Sequence, residues 1–359
     1  MSEDDVKAGW DALIEGMTTA VERMDGLTEG LDAAERADGF RVLARTMGAV
    51  HVALEMDRVR PTPIPHNLPQ NKFLIDNPDG KYWTFELDPA QRYRLSGNLG
   101  AAAYTAIAIY RVGQNWHDTE VCANINGSDL VTDGNGDFSL LLGGDDPGTG
   151  NWLALDQDAR TVWIRQFFND VHNEQPSHFE IANLNPNAPP PLADDGLLAR
   201  RLAMAGRKMK SMTSAIRHAG EHELSQGNHV RVWSEMLGGA VFTSSDIWYQ
   251  RGAWDLGLDE ALVLEGTAPP AQFWNIVLYS RFLNSLDHRN RTVSLTGPKI
   301  ETDAKGGYRL IIAGTDHGSA NWLDTEGRGM GMFALRWVCP ETRPDLPTAR
   351  VVKLADLKP

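Results

Sequence analysis

Residues 302–323 read TDAKGGYRLIIAGTDHGSANWL, and residues 132–153 read TDGNGDFSLLLGGDDPGTGNWL. The two stretches align without a gap at an offset of 170 residues. Identical Thr-Asp, glycine, aspartate and Asn-Trp-Leu positions recur along the whole alignment, which is hard to obtain by chance. The chain therefore contains an internal repeat.

Each copy of the repeat has the pattern of a tight turn followed by a strand. Apolar residues occupy every second position of 138–142 and of 308–312, which is typical of strands with a buried face. The Asp-x-x-Gly turn before each strand supplies a side-chain acceptor and a residue that tolerates positive φ. Both copies are predicted to be hairpins of antiparallel sheets. The fold class expected is mainly β with helical additions (α+β).

Helical patterns and proline-rich stretches divide the rest of the chain. An N-terminal helical segment is predicted over 1–60, where apolar residues recur at spacings of three and four. The first β unit is assigned to 70–184 and the second to 261–359. Between them, 185–260 is predicted to hold a linker, a central helix and an aromatic segment. The apolar stripe on the N-terminal helices has no evident partner in the β units, so a homodimer formed through these helices is one expectation.

Charge and hydropathy exclude several classes of protein. The formal net charge of -14 repels phosphate backbones, so no nucleic acid partner is expected. The longest apolar runs fall short of a bilayer span, so no membrane partner is expected either. The acidic start MSEDD lacks the basic region of a signal peptide. The expected location is cytoplasmic.

The sequence lacks the motifs that usually hold organic cofactors. It has no G-x-S-x-G elbow, no phosphate loop and no G-x-G-x-x-G after a strand. The GRGMG stretch at 327–331 lies in a hairpin context. No cofactor is expected, and the partner expected is a small-molecule substrate.

Four further motifs stand out along the two halves of the chain. They are Asn77-Pro78-Asp79 followed by Tyr82, the stretch FWNIVLY at 273–279, Gly297-Pro298, and the Gly318 to Trp322 stretch of the repeat. Together they resemble the paired bacterial domains of unknown function DUF1254 and DUF1214, with the second half of the chain more similar than the first. This resemblance implies β-sandwich units of jelly-roll type with helical additions, and it implies no particular chemistry.

One short motif has the spacing of a metal site. His218, Glu221 and His222 match H-x-x-E-H, in which two histidines one helical turn apart face one zinc ion and the glutamate activates water. A glycine lies inside the motif, and no third protein ligand is evident. A polar helix end is the plainer interpretation, so a metal-dependent hydrolase is the third functional hypothesis.

The repeat also separates candidate functional residues from structural ones. Positions shared by both copies, such as Arg165 with Arg336, are most simply explained by what the fold needs in each unit. His317 diverges, since its counterpart is Pro147. The other candidates lie mainly in segments without a repeated counterpart. The catalytic candidates are His229, Tyr249, His288 and His317, and the substrate-binding candidates are Tyr82, Arg231, Trp233, Trp248, Arg251 and Arg281.

These residue types suggest proton-transfer chemistry if they meet in a cleft between the units. A histidine and a tyrosine would act as base and acid, and an arginine would hold an anionic group. The leading hypothesis is a cofactor-independent lyase acting on an aromatic substrate. The first alternative is a non-catalytic module that presents Trp152, Trp322 or Trp248 to a glycan. The same side chains could instead form only interdomain packing and ion pairs.

Overall fold

The computed structural model describes residues 3–66, 72–111, 119–185, 194–232, 244 and 246–357. Within these residues the chain forms three α-helices and eighteen β-strands. None of these helices is long and apolar enough to cross a membrane. The helices are α1 (Glu3–Leu27), α2 (Ala33–Leu54) and α3 (Asp195–His222).

The first nine strands form a sandwich of two open sheets. The five-stranded sheet has the order β1-β2-β8-β4-β5, and the four-stranded sheet has the order β7-β6-β3-β9. Apolar side chains from both sheets, including Leu140 and Ile164, fill the space between them. The strands are β1 (Ile64–His66), β2 (Gly80–Glu86), β3 (Tyr93–Asn98), β4 (Tyr104–Arg111), β5 (Glu120–Asn126), β6 (Asp137–Leu142), β7 (Asn151–Leu153), β8 (Ala159–Phe167) and β9 (Phe179–Asn183).

The last nine strands form a second sandwich with the same topology. Its sheets have the orders β10-β11-β17-β13-β14 and β16-β15-β12-β18, which match the first sandwich strand for strand. The prediction of a mainly β, α+β fold with two repeated units is confirmed. The strands are β10 (His229–Val232), β11 (Ile247–Asp255), β12 (Glu260–Thr267), β13 (Phe273–Tyr279), β14 (Ser294–Thr296), β15 (Gly307–Ala313), β16 (Trp322–Asp324), β17 (Met330–Val338) and β18 (Thr348–Lys353).

The structural repeat is longer than the repeat visible in the sequence. Strands β10 and β11 lie in the range 185–260, which the sequence analysis assigns to a linker and insert. Both belong to the second five-stranded sheet, where β11 pairs with β17 over nine residues. Their sequences differ from those of β1 and β2 at most positions, so sequence comparison alone gives no sign of the equivalence.

The outer faces of the two five-stranded sheets pack against each other. Tyr82 and Tyr104 of the first sheet form one apolar cluster with Ile247 and Phe273 of the second. The ring centroids of Phe167 and Phe273 are 5.4 Å apart. The four sheets are therefore stacked, with one internal layer of side chains between the two sandwiches.

The helices cover the rest of the outer face of the second five-stranded sheet. Met209, Met212 and Ile216 of α3 pack against that sheet. Helix α1 lies very close to α3, since a Cβ atom placed on Gly16 would be 2.4 Å from the carbonyl oxygen of Gly206. The internal layer is thus bounded by two sheets and by α3.

Candidate functional site

The two units each place a tyrosine and an arginine at the same point of the internal layer. Tyr82 on β2 lies opposite Arg165 on β8, and Tyr249 on β11 lies opposite Arg336 on β17. Both arginines are only 3% exposed. Burying a guanidinium is costly unless hydrogen bonds or an anion compensate for the lost hydration. Both units of the repeat therefore contain a buried arginine at this position, in spite of the free-energy cost of burying it.

Aromatic rings flank both guanidinium groups. The Arg165 Cζ atom lies 5.0 Å from the ring centroid of Trp163 and 5.5 Å from that of Tyr110. The Arg336 Cζ atom lies 5.9 Å from the ring centroids of both Tyr249 and Tyr279. These distances are within the range of cation–π attraction. The rings hold the two cations in place without neutralising them.

Arg336 keeps one nitrogen without a hydrogen bond. Its Nη2 donates to the carbonyl oxygen of Ile75 and to the Tyr279 hydroxyl, each at 2.7 Å. Its buried Nη1 has no hydrogen-bond partner within the described part of the chain. Asp79 is close enough for the Arg336 charge to lower its pKa, but burial outweighs this and raises the pKa of Asp79. Asp79 itself accepts hydrogen bonds from Asn275 and Ser294.

Two of the tyrosines near these arginines, Tyr82 and Tyr279, keep their protons at physiological pH. Burial raises the pKa of Tyr82 well above its ordinary value, although the charges of Arg336 and Arg165 act in the opposite direction. Burial likewise raises the pKa of Tyr279. The site therefore combines two cations with phenol groups that keep their protons.

Two more polar side chains on the first sheet have unused atoms on this face. His66 on β1 lies opposite Tyr82, and Thr84 lies opposite Trp163. His66 Nε2 and Thr84 Oγ1 are buried and form no hydrogen bond with the described residues. Buried polar atoms without partners are rare in proteins and mark places where a ligand or water is expected. We call His66, Tyr82, Thr84, Arg165, Tyr249 and Arg336 the inter-sandwich site.

His66 is uncharged at neutral pH. Its imidazole ring lies 5.0 Å from the ring of Trp163. Burial, followed by the charges of Lys208 and Arg165, lowers the pKa of His66 to about 4. Neutral imidazole can accept a proton at one ring nitrogen, so His66 can serve as an acceptor or a base beside Arg165.

Acid is expected to destabilise the protein through His66. The unfolded chain takes up a proton near pH 6.5, whereas the folded chain takes one up only near pH 4, so the stability is complete above pH 6.5 and falls as the pH drops. The loss attributable to His66 is about 2.5 kcal/mol by pH 4.5. Urea unfolding across this range measures it. His66→Phe should flatten the profile, whereas His317→Gln, on an exposed loop, should not; equal slopes for His66→Phe and the native protein would contradict the prediction.

Three predicted substrate-binding residues can be compared with this site. Tyr82 belongs to it. Arg251 lies on the same face of β11 as Tyr249, but it is held by Glu223, whose carboxylate is 3.3 Å from Nη1. Trp248 points to the opposite face and packs against the core of the second sandwich, with Arg343 over its ring at 4.7 Å.

The predicted histidines lie in separate parts of the protein. His229 is exposed on the edge strand β10, where Nδ1 lies 2.9 Å from the Gly227 carbonyl oxygen. His317 is exposed in the turn before β16. His288 is partly buried in the loop after β13, where burial and the charge of Lys72 lower its pKa to about 4. Of the four predicted catalytic residues, Tyr249 alone belongs to the inter-sandwich site.

The remaining predicted residues are placed as follows. Arg281 forms an ion pair with Glu35 of α2 at 3.0 Å. Arg231 is partly exposed on β10, opposite Arg251. Trp233 lies outside the described residues. His218, Glu221 and His222 lie at the end of α3, on its accessible side.

The tryptophans expected to present a flat surface to glycans are partly buried. Trp152 and Trp322 occupy equivalent places, and their indole nitrogens donate to the carbonyl oxygens of Gly143 and Ala313 at 3.4 and 3.1 Å. These bonds tie each indole to its own sheet, which is a structural role shared by both units.

Comparisons with known proteins support the fold and are silent on chemistry. The family described as "Protein of unknown function (DUF1214)" matches residues 256–342. This supports the second half of the resemblance, whereas the DUF1254 half stays a prediction. The comparison with curated proteins gave no match.

Two crystal structures are similar over almost the whole chain. An uncharacterized protein from Burkholderia cenocepacia is 27% identical, with a TM-score of 0.87 over 97% of this chain and 98% of that one. A protein from Vibrio parahaemolyticus is 13% identical, with a TM-score of 0.51 over 97% of this chain and 100% of that one. The second likeness is one of fold alone.

Proposed function

We propose that the chain binds an anionic small molecule between its two sandwiches and acts on it by acid–base chemistry without a cofactor. The observation that carries this proposal is the buried Nη1 of Arg336, which has no partner among the described residues. A buried donor left unpaired costs about 1–3 kcal/mol. A carboxylate or a similar anion at this place would remove that cost.

The flanking groups favour an anion with a planar or ring-shaped body. The charges of Arg336 and Arg165 both act to lower the pKa of Tyr82, which shows that both lie close to it. An anion near Tyr82 would therefore be attracted by both guanidinium groups. Trp163 and Tyr249 supply aromatic walls, and both are only partly buried. Such a mixture of apolar walls with a few convergent polar groups is typical of small-molecule sites.

The acid–base part of the proposal assigns new roles within the inter-sandwich site. His66 replaces His229 and His288 as the base, because its Nε2 is unpartnered next to Arg165. A bound anion would raise the pKa of His66 toward neutrality and make it a stronger base. Tyr249 remains the acid. In a lyase, His66 would remove a proton from the carbon beside the carboxylate, and the electron pair left on that carbon would form a C=C bond with the next carbon. The C–O bond on that next carbon would break, and the Tyr249 hydroxyl would donate its proton to the departing oxygen.

A cytoplasmic location and a homodimer also remain proposals. The homodimer would bury the side chains of Trp10, Ile14 and Val21 on α1, which are about half exposed.

The proposal is tested by ligand-induced thermal stabilisation of the full chain. The panel contains benzoate, hydroxybenzoates, hexuronates, dicarboxylates and phosphate, each with a neutral amide or alcohol of the same skeleton. At least one carboxylate is expected to raise the melting temperature, and its neutral partner is not. Proton NMR of the stabilising compounds then detects turnover. Equal stabilisation by acids and their neutral partners, or none by any anion, would overturn the proposal.

A further inference from the structure

We propose that the C-terminal end of α3 binds a divalent transition-metal ion through His218, Glu221 and His222. These residues are separate from the inter-sandwich site and are used by nothing in the proposed function. The ions expected are those that accept imidazole, such as Zn²⁺, Ni²⁺ or Cu²⁺, rather than Mg²⁺ or Ca²⁺.

The three side chains converge on one point. They occupy positions i, i+3 and i+4 of the last helical turn, and their ligand atoms all lie within 4.8 Å of one another. The rings of His218 and His222 are 4.0 Å apart at their centroids. Ligand atoms around a tetrahedral Zn²⁺ are about 3.4 Å apart, given metal–nitrogen distances of about 2.0–2.1 Å. Small side-chain rotations are enough to close the remaining gap.

A backbone hydrogen bond already orients one of the rings. His222 Nδ1 lies 3.0 Å from the carbonyl oxygen of His218. A carbonyl only accepts, so Nδ1 carries the proton and donates it, which leaves the lone pair on Nε2. Histidines that bind metals usually donate their other ring nitrogen in this way, because the bond fixes both the tautomer and the ring direction.

The local charges favour a cation at this place. The carbonyl groups at a helix C-terminus carry partial negative charge, and the site lies within the last turn of α3. Glu221 has a competing partner in Arg217 at 3.8 Å, but both side chains are about 60% exposed. Exposed pairs of this kind are weak and easily exchanged.

Two imidazoles and one carboxylate leave at least one coordination position open. The site is accessible, so water or an outside ligand would complete the coordination. A two-histidine surface chelate is expected to bind with micromolar rather than nanomolar affinity, because it lacks a fourth protein ligand.

The test is calorimetric titration of the metal-free full chain with Zn²⁺ near pH 7.5. One equivalent with micromolar Kd is expected, and His218→Asn or His222→Asn should each weaken binding at least tenfold. Glu221→Gln should weaken it less, by about threefold to tenfold. His229→Asn and His317→Asn, both on exposed segments, are the matched controls and should bind as the native chain does.

The visible absorption of Co²⁺ is a second measurement of metal binding for each variant. Co²⁺ in a tetrahedral or five-coordinate site gives an intense visible absorption that hydrated Co²⁺ lacks, and this absorption should be absent from His222→Asn. Circular dichroism checks that the variant remains folded. Zn²⁺ binding that survives in the double variant His218→Asn/His222→Asn, or no binding to the native chain, would overturn the proposal.

Discussion

Replacement of Arg336 by methionine is expected to weaken binding of the anionic ligand about a hundredfold or more. Two charge-assisted hydrogen bonds from one guanidinium contribute about 1.5–3 kcal/mol each, and a loss of 2.7 kcal/mol corresponds to about a hundredfold. Arg165→Met should have an effect of similar size. If both arginines contact the same anion, the double variant should lose less than the sum of the two single losses.

The unliganded Arg336→Met protein should be close to the native protein in stability. Methionine matches the aliphatic part of the arginine side chain, and it removes a buried guanidinium whose Nη1 has no hydrogen-bond partner among the described residues. A buried donor without a partner is itself costly, so its removal offsets part of the lost contacts. Loss of the hydrogen bonds that Arg336 donates to Ile75 and Tyr279 should lower the free energy of unfolding by about 1 kcal/mol.

The control for this experiment is Arg350→Met, since Arg350 is half exposed and pairs with Glu265 at 3.4 Å. Isothermal titration with the stabilising carboxylate measures the contribution of Arg336 to binding, and urea unfolding measures its contribution to stability. An Arg336→Met protein that loses several kcal/mol of stability but binds the carboxylate as tightly as before would show that the arginine is purely structural.

The sequence predicts the repeat and its strands, but not how the sandwiches pack. Strand β17 reads MGMFALRWV, and nearly every side chain on it is buried. Phe333, Leu335 and Trp337 face the core of the second sandwich, whereas Val338 faces the first sandwich. A strand buried on both faces has no polar alternation, so its outer contacts cannot be predicted from periodicity.

Sequence reasoning identifies Tyr82 and Tyr249 but not the other residues of the inter-sandwich site. Both copies of the repeat share Arg165 and Arg336, which favours a structural role for them. An internal layer between two similar sheets can nevertheless use the same residue from each unit, so a shared residue can also be functional. A charged residue inside an apolar strand, as in VWIRQF and FALRWV, is the available signal. His66 lies within the proline-rich stretch 61–69, and no local pattern relates it to Arg165.

The protein has a net charge of -14, yet it buries two guanidinium groups, those of Arg165 and Arg336. Negative charge therefore predominates at the surface, and positive charge is placed in the internal layer. The surface carboxylates repel polyanions, whereas the buried arginines would attract the small anion of the proposed function. Composition gives no indication of such a site, since the few internal cations are outnumbered by surface carboxylates.

The second large effect is expected at Glu223, the residue after α3. Its carboxylate lies 3.3 Å from Arg251 Nη1, and the side chains are only 3% and 9% exposed. Burial raises the pKa of Glu223 and lowers that of Arg251 to about 9, so desolvation outweighs the attraction between the two groups. Removal of one member of a buried pair costs about 3–5 kcal/mol, because the other charge is left without compensation.

Glu223→Gln should therefore reduce the free energy of unfolding by about 3–5 kcal/mol in urea, whereas the exposed Glu221→Gln, two residues away, should change it by less than about 0.5 kcal/mol. The double variant Glu223→Leu/Arg251→Met should recover most of the loss, since it removes both charges and refills the space. Because this pair joins the end of α3 to β11, two residues from Tyr249, Glu223→Gln should also weaken carboxylate binding in the fraction that stays folded. Equal stability of Glu223→Gln and Glu221→Gln would mean that Glu223 and Arg251 do not form a charged pair in the native protein, and that α3 is held on the sheet by its apolar contacts alone.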